Sequence, residues 1–235
     1  MKRVPMTGGK MVLTADGQAL ETKHLGFTIS PHEECAVEEA VRIGGEVVVL
    51  TLGPAEAEEQ LRDCMAIGAD RGILLQTSEE WDAQSTAAAI VDAIRAEEPF
   101  DLILFGNESA DAAGFQVGIR VARALGLSVV TGLKKIEVSE GRMRCERDVG
   151  GARDVYEAPL PAVLTVLEGL NLPRYPSVPG RLRAKSKPLA VLEPARPEQK
   201  LEKLRLVVPE GQGKRAEILE NAASVVAVMQ ALGVA

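Results

Sequence analysis

Short apolar runs alternate with helix-length segments through the first half of the chain, and this alternation restricts the fold more than any other feature. Strands separated by helices pair in parallel, and the helices then cover both faces of the sheet. The sequence therefore predicts an α/β fold built on a Rossmann-like parallel sheet. The predicted strands are Glu46–Leu52, buried on both faces, Gly72–Gln76 and Asp101–Phe105, and the predicted helices are Pro31–Ile43, Pro54–Ile67, Asp82–Glu97 and Phe115–Leu125.

The segment Ser30-Pro31-His32-Glu33 predicts a helix N-terminus. Ser30 is a favoured N-cap, Pro31 suits the first helical position and Glu33 completes a capping box. Such a helix should follow a full apolar strand, which Met1–Arg3 is too short to supply. The rest of the N-terminal segment is predicted as a loop over Met1–Met11, with a short strand at Lys10–Thr14.

The loop after the strand Asp101–Phe105 consists mainly of small and acidic residues, Gly106–Gly114. Small side chains let an anion approach the backbone, and the N–H groups and dipole of a helix start favour negative charge. Ligands of parallel sheets bind at the carboxyl ends of strands, where Leu52 and the helix start at Ser30 supply two further walls. The pattern therefore predicts a phosphate-binding cradle. The alternative is an ordinary loop in which Ser109 or Asp111 caps the next helix.

Composition narrows the classes of function. The formal net charge of −7 over 235 residues argues against a general nucleic-acid binder. No apolar run reaches the roughly 18 residues that cross a bilayer. Cys35, Cys64 and Cys145 are isolated and lack C-x-x-C spacing, so we interpret them as buried thiols of a cytoplasmic protein.

The alternation of predicted strands and helices ends at Gly126. A hairpin and further short strands are predicted at Ser128–Gly132, Lys134–Ser139, Arg142–Asp148, Arg153–Glu157 and Ala162–Leu167. From Gly169 to Pro209 the chain is rich in Pro, Lys and Arg without regular periodicity, so we expect this stretch to lie on another surface. A final helix is predicted over Gly213–Leu232. It either binds a second subunit or packs against its own domain.

No catalytic or metal-binding motif stands out. The two histidines are isolated, and no Walker loop, nucleophile elbow or G-x-G-x-x-G fingerprint occurs. Glu33, Glu34, Glu38 and Glu39 are interpreted as complements of the helix dipole. A cradle without a catalytic group indicates a binding or carrier protein. A free-standing ATP- or AMP-binding protein of the stress-protein type is the competing interpretation.

Several sequence blocks occur in a characteristic order. They are Ser30-Pro31 with Cys35–Val41, Gly53-Pro54, Ala66–Gly72, Gly106 with Asp111 and Gln116–Gly118, and Leu170–Tyr175 with Pro179 and Lys185. In this order and spacing they resemble the β subunit of the electron transfer flavoproteins, over nearly the whole chain. The resemblance implies an adenine nucleotide α-hydrolase-like fold and a heterodimer with an α subunit that holds most of a redox FAD. It also implies electron transfer from flavin dehydrogenases, such as acyl-CoA dehydrogenase, to a quinone oxidoreductase or a similar acceptor.

The resemblance further implies a structural AMP in this subunit. Its contacts correspond to Ser30, Pro31, His32, Glu33, Leu52, Gly106, Asn107, Glu108, Ser109, Ala110, Asp111, Ala112, Ala113, Gly114, Phe115, Gln116 and Val117. The family often has Asn where this chain has Ser30, which lacks the reach of the amide. Some relatives bind a second FAD in place of AMP, and the sequence leaves this alternative open. The family's site also uses a first strand that would precede Met1, and we expect the start of the protein to lie further upstream.

The resemblance divides the chain into a nucleotide-binding α/β domain, residues 1–188, and an arm with a helix, residues 189–235, that wraps the α subunit. Within the first domain, residues 166–188 correspond to a loop that recognises the dehydrogenase. Val178 stands at the apolar tip of that loop. The implied partner-binding residues are Asn171, Pro173, Arg174, Tyr175, Val178 and Pro179.

Overall fold

The computed structural model of the protein describes residues 1–6, 8, 11–196, 198–208 and 218–234. Its strands are β1 (Arg3–Pro5), β2 (Phe27–Ile29), β3 (Val48–Gly53), β4 (Arg71–Gln76), β5 (Leu102–Gly106), β6 (Ser128–Leu133), β7 (Lys135–Ser139), β8 (Arg142–Val149), β9 (Ala152–Pro159), β10 (Ala162–Val166) and β11 (Leu189–Leu192). Its α-helices are α1 (Pro31–Ile43), α2 (Glu58–Ile67), α3 (Ala83–Arg95), α4 (Val117–Leu125), α5 (Val178–Ala184) and α6 (Ala222–Ala231), and a 3₁₀ turn at Ala55–Ala57 leads into α2.

Two three-stranded parallel sheets form the centre of the molecule. In one, β4 lies between β11 and β3; in the other, β10 lies between β5 and β6. The strands β7, β8 and β9 form a separate antiparallel sheet, and β1 pairs antiparallel with β2. The expected α/β fold with parallel strands is confirmed. The sequence predicted one continuous sheet, however, whereas β3 and β5 are the edges of two sheets in the described part of the chain.

Burial follows the position of each strand within its sheet. Every residue of β10 is buried, as expected for a strand between two parallel neighbours. In β3 only Val49 and Thr51 are fully buried. The prediction that this strand is buried on both faces is therefore wrong, because β3 lies at an edge.

The helix ends correct one detail of the sequence interpretation. Helix α1 has Pro31 in its first turn and ends at Gly44, whose positive φ of 86° suits glycine, but Ser30 makes no side-chain capping bond. The hydroxyl of Ser30 instead donates to the carbonyl of Glu108 at 3.5 Å. A conventional cap occurs on α3, where the Asp82 carboxylate accepts from the Ser85 N–H at 2.7 Å.

The region from Gly169 to Pro209 is more regular than the sequence predicted. Its helix α5 packs against α2, and β11 extends the sheet beside β4. Lys187 donates to the carbonyls of Met65 and Ala69 at the end of α2. These elements have seven and four residues, too short for a periodic pattern to be visible among the prolines and basic residues.

The two ends of the chain also differ from the expectations. The predicted loop over Met1–Met11 contains β1, and the predicted strand Lys10–Thr14 reduces to one bridge between Leu13 and Leu20, with Lys10 outside the described residues. The predicted helix Gly213–Leu232 is seen as α6, and its expected start lies outside the described residues. No described helix is long and apolar enough to cross a membrane.

Candidate functional site

A cavity of about 1100 Å³ opens between the two parallel sheets. Its walls come from both edge strands, β3 and β5, and its rim includes the loop that follows β5. The last residues of both strands, Leu52 and Gly53 in β3 and Phe105 and Gly106 in β5, line this cavity. Ligands of α/β proteins bind at the carboxyl ends of strands. The cavity is large enough for a nucleotide.

Most of the residues predicted to bind a nucleotide line this cavity. They are Glu33, Leu52, Gly106, Asn107, Glu108, Ser109, Asp111, Ala112, Gly114, Phe115, Gln116 and Val117. Ser30, His32 and Ala113 do not line it, and Pro31 and Ala110 line a smaller cavity on the other side of the loop. Many other residues that line the cavity were not among the predicted contacts, including Lys2, Thr51 and Trp81. Thr51 could have been found because it precedes Leu52 at the end of a predicted strand.

The loop between β5 and α4 leaves the start of α4 open to the cavity. Ala113 and Phe115 adopt positive φ angles of 46° and 55°, which turn the chain into the helix. Gln116 is the N-cap but makes no capping bond, because its side chain accepts from Arg120. Ser109 and Asp111 do not cap α4 either. Within the described residues, the N–H groups of the first turn therefore have no side-chain partner and can serve an anion.

Close backbone contacts fix the cradle between α1 and α4. A Cβ on Gly106 would lie 2.6 Å from the Cγ of Glu33, so the end of β5 touches the first turn of α1. A Cβ on Gly118 would lie 2.9 Å from Thr165, so α4 sits directly on β10. Glycine at these two positions permits the approach of elements that a larger side chain would separate.

Positive charges beside the cavity partly offset the negative charges of its carboxylates. Lys2 forms an ion pair of 2.6 Å with Asp111, which reduces the negative charge of the loop. Burial raises the pKa of Glu33, and the N-terminal amine and Lys2 offset this only in part. One carboxylate oxygen of Glu33 and the hydroxyl of Thr51 are buried and have no hydrogen-bond partner among the residues that the structure describes. These two groups are available to a polar ligand.

We expect Glu33→Gln to stabilise the protein at neutral and higher pH. The folded state raises the pKa of Glu33, so ionising this side chain destabilises the fold by about 1.4 kcal/mol for each unit of the rise. That cost is absent below the unfolded-state pKa, grows as the pH rises from the unfolded-state pKa to the folded-state pKa, and is constant above it. Thermal melts across pH should show the gain growing with pH. A gain that is independent of pH, or equal in the exposed control Glu56→Gln, would contradict the assignment.

Two of the predicted partner-binding residues contact α1. Asn171 donates to the Cys35 carbonyl and to the Glu39 carboxylate, and Arg174 binds the Glu38 carboxylate. Pro173 lies half-buried between them. The remaining residues are exposed, with Tyr175 at 94% and Val178 at 74%, and Pro179 follows Val178 in the first turn of α5.

Comparison with known proteins decides the family. Residues 19–197 match the model of the electron transfer flavoprotein domain. The chain belongs to the electron transfer flavoprotein family. It is 37% identical over 190 residues to electron transfer flavoprotein subunit beta of Syntrophomonas wolfei, covering 79% of this chain and 75% of the relative. It is 35% identical over 199 residues to that of Bacillus subtilis, covering 82% and 77%, and 36% identical over 195 residues to that of Bradyrhizobium diazoefficiens, covering 81% and 78%.

These matches confirm the resemblance to the β subunit that the sequence blocks carry. The matched residues 19–197 include β3, β5 and the loop that follows β5. They also include Asn171, Arg174 and Val178. Both candidate surfaces therefore lie within the part of the chain that defines the family.

Proposed function

We propose that this chain binds AMP in the cavity and joins an α subunit to complete a FAD site. The heterodimer carries electrons from flavin dehydrogenases, such as acyl-CoA dehydrogenase, to a quinone oxidoreductase or a similar acceptor. The observation that carries the nucleotide proposal is the open start of α4 beside a small-residue loop at a strand end. Three buried free cysteines agree with the cytoplasmic location expected from the sequence.

In this proposal the residues of the chain hold the nucleotide and perform no redox step. The N–H groups at the start of α4 bind the phosphate, and Thr51 and Glu33 offer polar contacts further into the cavity. FAD, when bound between the subunits, supplies the electron-transfer chemistry. A free-standing nucleotide-binding protein is disfavoured because the apolar helix α6 buries none of its side chains within the described chain.

Nucleotide analysis of the copurified heterodimer tests the proposal. We expect denaturation to release one AMP and one FAD per heterodimer, and the isolated β chain to be colourless. FAD in the place of AMP, or no second nucleotide, would refute the AMP site. A stable monomer that never binds an α subunit on size-exclusion after co-expression would refute the carrier proposal as a whole.

We also propose that Val178 anchors the chain in an apolar pocket of the dehydrogenase. Its exposure leaves it free for a partner, and a buried Val contributes about 1.5–3 kcal/mol. Such a contribution suits a transient complex. The prolines near the tip, Pro173, Pro176 and Pro179, restrict the free loop and so reduce the entropy lost on docking.

We expect Val178→Ala to raise the Michaelis constant for the dehydrogenase about tenfold, because about two CH₂ equivalents of burial are lost. The melting temperature and the FAD and AMP contents should not change, since the side chain is exposed in the free subunit. Val155→Ala, an exposed valine on β9, is the matched control and should leave transfer unchanged. Unaltered transfer from every dehydrogenase tested would show that Val178 is not the anchor.

A further inference from the structure

In the segment Asn171–Tyr175 the polar residues Asn171 and Arg174 contact α1, whereas the large apolar side chains of Leu172 and Tyr175 face outward. Leu172 is 84% exposed and Tyr175 is 94% exposed, whereas Asn171 and Arg174 bind α1. Burial of Leu172 and Tyr175 therefore cannot hold this segment in place. Leu170 packs against the hydrophobic core, and beyond it polar contacts to α1 hold residues 171–175. Few groups on α1 make these polar contacts.

The Glu38 carboxylate makes most of these contacts. One oxygen accepts from the backbone N–H of Arg174 at 3.2 Å and from its Nε at 2.8 Å, and the other accepts from its Nη2 at 2.8 Å. Arg42, one turn later on α1, donates to Glu38 at 2.8 Å and to the carbonyl of Leu172 at 3.4 Å. Glu38 thus binds both the backbone and the side chain of Arg174, in the two-pronged geometry that carboxylates and guanidinium groups favour.

The charge state of Glu38 supports this arrangement. The side chain is nearly fully buried at 2% exposure, and burial would raise its pKa, but the bonds from Arg174 and Arg42 outweigh that effect and lower it. The carboxylate is therefore ionised at neutral pH. A buried carboxylate left without its partners is strongly unfavourable, so Glu38 and Arg174 hold each other in one geometry.

We propose that Glu38 is a positioning residue for docking: it fixes the backbone of residues 172–175 on α1 so that Leu172 and Tyr175 face the dehydrogenase beside Val178. This inference rests on the proposed docking function of the Val178 surface. Fixing the segment before docking lowers the ordering cost of the complex. Glu38 itself does not need to touch the partner.

Glu38→Gln in the heterodimer tests the inference by two independent measurements. Hydrogen exchange should accelerate at the amides of residues 171–175 and stay unchanged in β10, because only the local attachment is lost. The Michaelis constant for the dehydrogenase should rise about fivefold with kcat unchanged, since the segment must then be ordered on docking. Glu58→Gln, which removes a comparable helix ion pair with Arg62 on α2, should change neither quantity.

A second variant covers the case in which Glu38→Gln fails to fold. Arg174→Gln leaves Glu38 paired with Arg42 and should give the same local exchange and the same rise in the Michaelis constant. If Glu38 acts through Arg174, the double variant should be no worse than either single one. Slow exchange at residues 171–175 in the variants, or a uniform acceleration that includes β10, would overturn the inference.

The two proposals fail in distinguishable ways. A normal Michaelis constant in Val178→Ala together with fast local exchange in Glu38→Gln would refute the docking surface and leave Glu38 a local structural clamp. A raised Michaelis constant in Val178→Ala with no effect of Glu38→Gln on exchange or transfer would retain the docking surface and refute the positioning role.

Discussion

Deleting residues 213–235 is expected to raise the dissociation constant of the heterodimer by a factor of about 100 or more. Helix α6 is almost entirely apolar and buries no residue against the described part of the chain, so we propose that its contact surface lies on the α subunit. Val225, Val226, Val228 and Met229 are each 39–49% exposed. Covering a few such side chains contributes several kcal/mol, and the factor of about 100 needs only about 2.7 kcal/mol.

The shortened chain provides its own control. Because α6 buries none of its side chains, the melting temperature of the isolated β subunit should change little. Titration of the α subunit by calorimetry would measure the affinity of both forms. Equal affinity with and without these residues would show that the helix does not bind the α subunit, and a large loss of stability in the isolated chain would show that it packs on its own domain.

Gly180→Ala is expected to lower the melting temperature by several degrees. A Cβ at this position would lie 2.4 Å from the backbone carbonyl oxygen of Ala66, so α5 would have to move away from α2. Overpacking of this kind costs about 1–3 kcal/mol, and about 2–4 °C of melting temperature corresponds to each kcal/mol in a chain of this size.

The same substitution should also impair electron transfer, because α5 carries Val178 in its first turn. Gly8→Ala is the control, since a Cβ there meets no described residue within 4 Å. Thermal melts and steady-state transfer from a dehydrogenase would measure the two effects. An unchanged melting temperature would mean that α5 does not rest tightly on α2.

The sequence predicted the elements that have a long apolar pattern and clear ends. Helix α1 has Pro31 at its start and Gly44 at its end, and the cradle loop follows an apolar strand directly. The predicted nucleotide-binding loop accordingly lines the cavity for most of its length. These features depend on neighbouring residues, which a single sequence displays.

What the sequence could not show depends on residues far apart along the chain. Glu38 was interpreted as a complement of the helix dipole, yet its partner Arg174 lies 136 positions away. The separation of β3 from β5 likewise depends on which strands pair, and the pattern of each strand does not encode its neighbours. The short elements α5 and β11 form because α2 and β4 offer them a surface.

The attachment of residues 170–175 to α1 separates two tasks onto different side chains. Asn171 and Arg174 hold the segment, while Leu172, Tyr175 and Val178 present an exposed surface. Since the exposed side chains contribute little to folding, they can be substituted without weakening the attachment of the segment to α1. If the proposed docking role of this surface holds, substitutions at these three positions should change the choice of electron donor and leave the rest of the subunit unaltered.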